Sequence, residues 1–234
     1  MLASGYICNP QLVMIYRRIL FTFAALLTML AASGQCRFYH SYEDFVDGRW
    51  SPLDTLFVSG HSKNHQLWWG GNDYTLRTGR NDLDRTLKKN ALIVVQADTL
   101  YVNCRNLRFD GTSFGNGYTK AMRIGNRSIL LVNRLIGREA MRSQWTASFM
   151  FGAIGAAITA GKNVKQQVCY VISNGADSRG RINIRLIDDE LMGQMLEGHN
   201  ELLEEYLSEQ DVRNRLQATH IVPILERAGL FGNK

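Results

Sequence analysis

The sequence predicts an α+β protein with an antiparallel, β-rich body, a glycine-rich apolar helical segment and a helical C-terminal tail. Short apolar runs separated by turn residues follow one another between residues 54 and 187. From Asp188 onward the apolar period changes from two residues to about 3.6. Residues 143–161 carry no charge and are rich in Gly and Ala. We therefore expect a β-rich domain over residues 35–187, with C-terminal helices 188–234 packed on it.

The first half of the chain alternates brief helices with strands. A helix is predicted over residues 41–47, where acidic residues follow a serine N-cap, and it ends at Gly48. A second brief helix is predicted over residues 81–89. Gly125 and Asn126 both tolerate positive φ and predict a tight hairpin between their flanking strands. Strands are predicted over residues 54–59, 66–77, 91–95, 99–104, 118–124 and 128–135.

Two further strands and the helical tail complete the pattern. Strands 168–173 and 181–187 are expected to pair across a loop whose Asn, Asp and Gly residues favour a chain reversal. Ser208, with Asp211 three residues later, is typical of a capping box and predicts a helix start. A last helix is predicted over residues 219–228. The helical face that begins after Asp188 comprises Leu191, Met192, Met195, Leu196, His199, Leu202, Leu203, Tyr206 and Leu207.

An export signal is predicted at the N-terminus. Arg17 and Arg18 precede an uncharged run of 13 residues, 19–31, which is too short to span a bilayer comfortably and is followed by small residues. We expect residues 1–34 to be a cleaved signal peptide whose true start is Met14.

Small residues at the end of this leader place the cleavage site. Cleavage is expected after Gly34, which leaves Gln35 as the new N-terminus, and cleavage after Ser33 is the alternative. Lipidation of Cys36 is not expected, because it requires a small residue where Gln35 stands.

Charge and cysteine content restrict the function of the exported part. Without Arg17 and Arg18, the 27 basic residues of the chain fall to 25 against 21 acidic residues, a net charge of +4. The charges are interspersed and form no basic stripe, so a nucleic-acid partner is not predicted. The three remaining cysteines allow at most one disulfide, and Cys104 and Cys169 are predicted to be small buried residues within strands.

The segment 143–161 reads SQWTASFMFGAIGAAITAG and allows two interpretations. As a helix it would extend about 28 Å, close to the apolar thickness of a bilayer. Small residues recur every four positions and permit close approach of another helix or backbone. The segment either packs as a buried element against the sheet or mediates membrane association or self-association. The residues predicted for the second role are Gly152, Gly155, Ala156, Ala160 and Gly161.

No residue pattern predicts catalysis, a cofactor or a metal. His61 and His65 have the spacing of a helical metal-binding pair, but their surroundings are loop-like and no third ligand is placed. The three acidic residues 188–190 lie at a predicted helix start, where negative charge is favoured by the helix dipole, so they indicate capping. Residues 111–117 are rich in glycine but lack the Lys of a phosphate loop, so they indicate a hairpin loop. No Ser or Cys in the sequence context of a catalytic nucleophile accompanies the other histidines, which are His40, His199 and His220.

Aromatic residues offer one further interpretation. If they were exposed together on one sheet face they could stack on sugar rings, although a β-rich domain of this size also needs large aromatics for its core. The residues concerned are Trp50, Trp68, Trp69, Tyr74 and Tyr101.

The order of features resembles that of uncharacterised exported proteins common in Bacteroidota. The features that carry the resemblance are the export signal, SYEDF, ADTLYVN, the glycine-rich stretch, a strand pair around a polar turn and LMGQMLEGHNELLEEY. The resemblance extends over nearly the whole exported part. The resemblance implies export but assigns no activity, cofactor or site residue.

The sequence therefore favours a non-enzymatic protein of the periplasm or outer-membrane surface, with an interaction or structural role. The alternatives are a membrane-associated or self-assembling protein that uses residues 143–161, and an enzyme of unfamiliar type. The expected partner is an envelope protein or a membrane. The sequence identifies no small-molecule ligand and does not predict an oligomeric state.

Overall fold

A computed structural model describes residues 36–62, 72–137 and 167–232. The predicted signal peptide and segment 143–161 lie outside these ranges. The strands are β1 Cys36–Tyr39, β2 Ser51–Leu53, β3 Phe57–Gly60, β4 Tyr74–Arg77, β5 Ile93–Gln96, β6 Thr99–Asn103, β7 Leu107–Phe109, β8 Thr112–Ser113, β9 Tyr118–Ile124, β10 Ser128–Arg134, β11 Gln167–Ile172, β12 Ile182–Asn183 and β13 Arg185–Leu186. The helices are α1 Tyr42–Asp47, α2 Asn81–Lys89, α3 Asp189–Met195, α4 Asn200–Ser208, α5 Val212–Arg215 and α6 Ala218–Arg227.

A ten-stranded antiparallel sheet forms the body, which confirms the predicted α+β class. Its main path runs β13-β11-β10-β9-β6-β5-β1-β2, and β3 joins it through β4, which contacts β9. Strand β2 at one end contains Pro52, which has no backbone N–H to donate, and β13 at the other end spans two residues. A separate three-stranded sheet has the order β12-β7-β8.

Local sequence signals fix several elements where they were predicted. The side chain of Ser41 accepts a hydrogen bond from the backbone N–H of Asp44, and Gly48 ends α1 with φ 72°. Helix α2 covers the predicted residues. The β9–β10 hairpin turns at Gly125, which has φ 54°, and its partner strands pair from Ile124 with Ser128 onward.

Two predicted elements are divided in the structure, and a third is shorter than expected. The strand expected over residues 54–59 is β3, which begins only at Phe57, and β2 ends at Leu53, before the predicted range. The run 181–187 divides, because β13 pairs with β11 whereas β12 pairs in parallel with β7 in the small sheet. The helix expected after Asp188 breaks at Gly198, which has φ 87°.

The predicted capping box at Ser208 is wrong. Ser208 is the last residue of α4, and its hydroxyl donates to the carbonyl of Glu205. Asp211 is itself the N-cap of α5 and accepts from the backbone N–H of Arg213. The acidic member of the pattern was correctly placed near a helix start, but it takes the capping position itself.

The two faces of the sheet are packed differently. Strand pairing places Val102, Ala121, Leu131 and Tyr170 on one face, here called face A. The residues that alternate with them along each strand lie on the other face, face B. Face A carries one continuous cluster, covered by α1 and by the chain around the small sheet. Face B carries two separate clusters.

The two clusters of face B, named here for what covers them, lie at different ends of the sheet. The helix-side cluster joins Leu130 and Val171 of the sheet to apolar residues of α3, α4 and α6. The hairpin-side cluster joins Val94 and Tyr101 to Leu76 of β4, together with residues of α2 and β2. Each layer removes its own apolar side chains from water, so the sheet is stabilised at both ends of this face.

A polar contact joins the helices above face B. Arg215 of α5 contacts Asp189 of α3 through two hydrogen bonds, Nη2 to Oδ2 at 2.5 Å and Nε to Oδ1 at 3.0 Å. The hydroxyl of Tyr206, which is buried in α4, donates to the same carboxylate at 2.8 Å. The Arg215 hydrogen bonds hold the pKa of Asp189 below its ordinary value against a smaller opposing effect of desolvation, and Tyr206 adds to the lowering.

We expect Asp189→Asn to lower the free energy of unfolding by about 1 kcal/mol at pH 7, since the charged half of a partly exposed pair is removed. Because the folded-state pKa of Asp189 lies below the unfolded value, its stabilisation is complete above about pH 5 and is lost as pH falls through the folded pKa. The difference in the free energy of unfolding between wild type and Asp189→Asn, measured by urea unfolding, should therefore be smaller at pH 3 than at pH 7. Glu204→Gln, on the exposed side of α4, is the control. A difference that is the same at pH 7 and pH 3 would contradict the assignment.

Candidate functional site

A groove crosses face B where the two clusters meet. Its floor contains Met122 of β9 and Val132 of β10, which pack against the helix-side cluster. Tyr74 of β4, which packs against the hairpin-side cluster, lies on the opposite side. The cavity has a volume of about 610 Å³, within the range of ligand sites in proteins. We call it the sheet groove.

The sheet groove lies beside a fork between β9 and β10. These strands pair from Ile124–Ser128 to Ala121–Leu131, and no further pair joins them. Beyond that point β4 contacts β9 instead, through Tyr74 and Tyr118. The backbone groups of the separated strands then need other partners, because a buried unpaired N–H or C=O is costly.

A side chain supplies one such partner inside the fork, and other polar side chains pair with one another beside it. The hydroxyl of Thr119, which is fully buried, lies 2.7 Å from the carbonyl of Val132 and 3.0 Å from a carboxylate oxygen of Asp73. The amide of Asn133 donates to the side-chain oxygen of Asn72 at 2.9 Å. We call Asn72, Asp73, Thr119 and Asn133 the fork residues.

Asn72 also ties the fork to the loop that follows β8. Its Nδ2 donates to the carbonyls of Phe114 and Asn116, at 3.2 and 2.9 Å. Gly117 has φ 102°, and a Cβ there would lie 3.1 Å from the carbonyl of Tyr74 and 3.2 Å from the N of Asn72. A side chain at this position would be strained by the positive φ and would crowd these two backbone atoms, so only glycine fits. The backbone of the fork is therefore closely packed.

The charged rim of the sheet groove is suited to recognition. The ammonium of Lys120 lies over the ring of Tyr74, 5.6 Å from its centroid, in a cation–π contact. Tyr101 meets Tyr74 edge to face at 5.4 Å. Asp98 and Thr99 border the groove at the β5–β6 turn. An apolar floor beside one cation and nearby carboxylates can hold a partner that has both apolar and polar groups.

The aromatic residues predicted for sugar stacking do not share one exposed face. Tyr74 lines the groove and is half-buried, whereas Tyr101 is buried in the hairpin-side cluster. Trp50 is 47% exposed and precedes β2. Trp68 and Trp69 lie outside the described residues.

The histidines are separated from one another. His61 borders the sheet groove, and its Nε2 lies 3.1 Å from the hydroxyl of Thr75, while His65 lies outside the described ranges. His40 contacts the carbonyl of Asn90, and His220 stacks on Tyr206 in the helical layer. Over the described stretches, no group of His, Cys, Asp and Glu could hold a metal ion.

Asp188 has the capping role predicted for it, and Cys104 and Cys169 are buried as predicted, although Cys104 begins a short 3-10 turn after β6 instead of lying within a strand. Asp188 caps α3 by accepting from the N–H of Leu191. Cys36, Cys104 and Cys169 are buried free thiols. Burial raises the pKa of Cys169 to about 12, so its thiol stays protonated at neutral pH.

The residues proposed for self-association, Gly152, Gly155, Ala156, Ala160 and Gly161, lie outside the described residues. Within 36–62, 72–137 and 167–232, no helix is long and apolar enough to cross a membrane. This finding does not extend to segment 143–161.

A family described as a family of unknown function, DUF6563, matches residues 37–231. The chain belongs to this family. No curated protein and no solved structure matches the chain. The match covers β1 through the bridge between Ile124 and Phe231, so the family includes the sheet, both layers of face B and the sheet groove.

Sequence reasoning missed the fork residues and Lys120. Asn133 follows four buried or half-buried apolar residues of β10, and Asn103 ends the apolar run of β6. An amide inside an apolar strand run was the available signal, because such a group must be hydrogen-bonded. Lys120 stands between buried Thr119 and Ala121, as the exposed position of an alternating strand.

We expect Asn133→Ala to lower the free energy of unfolding by about 2 kcal/mol, because Asn72 Oδ1 would be left buried without its donor. For a domain of this size that corresponds to a fall in Tm of about 4–8 °C. Asn183→Ala, at an exposed position of β12, should change the free energy by less than about 0.5 kcal/mol. Equal effects of the two substitutions in urea titrations would show that the fork amides do not stabilise the fold.

Proposed function

We propose that this protein is an exported cell-envelope protein that binds a partner rather than catalysing a reaction. The sheet groove carries the proposal, because it combines an apolar floor, an aromatic wall and a charged rim on a rigid sheet. The proposed partner is another envelope protein, whose apolar side chain would lie on Met122 and Val132 beside Lys120. Export is supported by the N-terminal leader, in which two arginines precede residues 19–31.

The most strongly shifted titratable groups are suited to structural roles. Among the described residues, the largest pKa displacements belong to buried tyrosines and cysteines, and burial raises each of them. Tyr118 and Tyr206 each donate a hydroxyl to an acceptor inside the protein. A general acid or base instead needs a pKa near the working pH. These tyrosines and cysteines are shifted away from neutrality, so their hydroxyls and thiols are suited to structural roles.

Photo-crosslinking in cells tests both parts of the proposal. A photoreactive residue at Lys120 should give a discrete adduct in the envelope fraction, whereas one at Lys89, exposed on α2, should not. N-terminal sequencing of the purified protein should begin at Gln35 or its neighbour. Adducts of equal yield at both positions, or none at Lys120, would contradict binding in the groove. An intact Arg17–Arg18 leader on cytosolic protein would contradict export independently.

A second candidate function is membrane association or self-assembly through residues 143–161. The charge-free length of this segment and its small residues at every fourth position favour it. If this function is correct, Gly152→Leu combined with Ala156→Leu should move the protein between membrane and soluble fractions or change its oligomeric state in size-exclusion chromatography. Thr146→Leu, in the same segment but outside the small-residue pattern, is the control. Unchanged fractionation and size in the double variant would reject this candidate.

A further inference from the structure

A second cavity lies between β4 and α2, apart from the floor of the sheet groove. Its volume is about 360 Å³. We call this cavity the oxyanion pocket, and it shares His61 with the sheet groove. Among its lining residues, the ones called its defining residues here are Thr75, Arg77, Asp84, Lys88, Asn116 and Gly117. The pocket is bounded on one side by a strand and on another by a helix, so its walls are regular secondary structure.

The C-terminal end of α2 lies beside this pocket, but two of its last carbonyls already accept side-chain hydrogen bonds. Asn103 Nδ2 donates to the carbonyls of Leu87 and Lys88, at 3.0 and 3.3 Å. The hydroxyl of Tyr118 also donates to the carbonyl of Leu87, at 2.6 Å. These bonds offset the partial negative charge that a helix C-terminus would otherwise present to a ligand.

The only carboxylate among the defining residues is also engaged. One oxygen of Asp84 accepts from the backbone N–H of Thr78 at 2.5 Å and from the Thr78 hydroxyl at 2.8 Å. The side chains of Arg77 and Lys88 are exposed, and neither side chain forms a hydrogen bond or ion pair with another described residue. The lining of the pocket therefore includes two cations and one carboxylate, that of Asp84, of which one oxygen is already hydrogen-bonded.

We propose that the oxyanion pocket binds a tetrahedral oxyanion, a phosphate or sulfate ester, carried on a small polar molecule. A guanidinium offers paired N–H donors and an ammonium offers a compact charge with three donors, a combination that suits an anion with several oxygens. Thr75, whose hydroxyl is in contact with His61 Nε2, and Asn116 line the same cavity. The volume is near the lower end of the range for ligand pockets, which leaves room for a body about as large as one sugar ring.

Isothermal titration calorimetry on protein purified from cells producing the full-length chain tests this proposal. The probes are glucose 6-phosphate and glucose 6-sulfate, with glucose as the uncharged comparison. At least one ester should bind with a dissociation constant of about 1 mM or tighter, and glucose should not bind measurably. The ester that binds more tightly identifies the source of the oxyanion.

The double variant Arg77→Gln with Lys88→Gln should weaken ester binding at least about 100-fold, or about tenfold for each charge removed. The control double variant, Arg85→Gln with Lys89→Gln, removes two charges of α2 that lie outside the defining residues. It should leave the dissociation constant within about twofold of the wild-type value. Thermal unfolding of both variants verifies that they remain folded. Absence of binding by both esters, equal binding of glucose, or equal loss in the two double variants would each overturn the proposal.

Discussion

The separation of β9 from β10 imposes the constraint on which the rest of the structure depends. Where the β9–β10 ladder stops at Ala121 and Leu131, the backbone groups that face each other across the gap lose their partner strand on that side. The hydroxyl of Thr119 donates to the carbonyl of Val132 across this gap, and the amide of Asn133 donates to the buried side chain of Asn72 beside it. Because each of these groups satisfies another, removal of one leaves its partner buried and unpaired. The fork is therefore a polar centre inside an apolar sheet, and it fixes how β4 approaches the body.

The approach of β4 also explains why face B is divided. β4 and α2 cover one part of the face and the C-terminal helices cover another, and each layer has its own apolar cluster. Face A has no such division, because α1 and the small sheet close over a single cluster. The sheet groove thus follows from the topology, and both floor residues lie in paired strands, Met122 opposite Leu130 and Val132 opposite Cys169 of β11. A site on strands is more rigid than one on loops.

Local signals predicted the elements that depend on neighbouring residues. Ser41 and Gly48 delimit α1, and the alternation in β9 and β10 matched the observed strands closely. Gly198 is also a local signal, but the apolar period across it was strong enough to suggest an unbroken helix. The fork, the parallel pairing of β12 with β7 and the division of face B all depend on contacts distant in sequence. Periodicity reports which side of a strand is buried and does not report which strand lies beside it.

The ends of the large sheet have a consequence for copies of this chain that are concentrated in one compartment. A terminal strand with a full row of unpaired N–H and C=O groups recruits strands from other molecules and starts polymerisation. Pro52 interrupts the donor row of β2, and β13 offers a template only two residues long. Both ends of the main path are thereby protected against runaway strand addition, so the sheet can remain extensive without acting as a seed for aggregates.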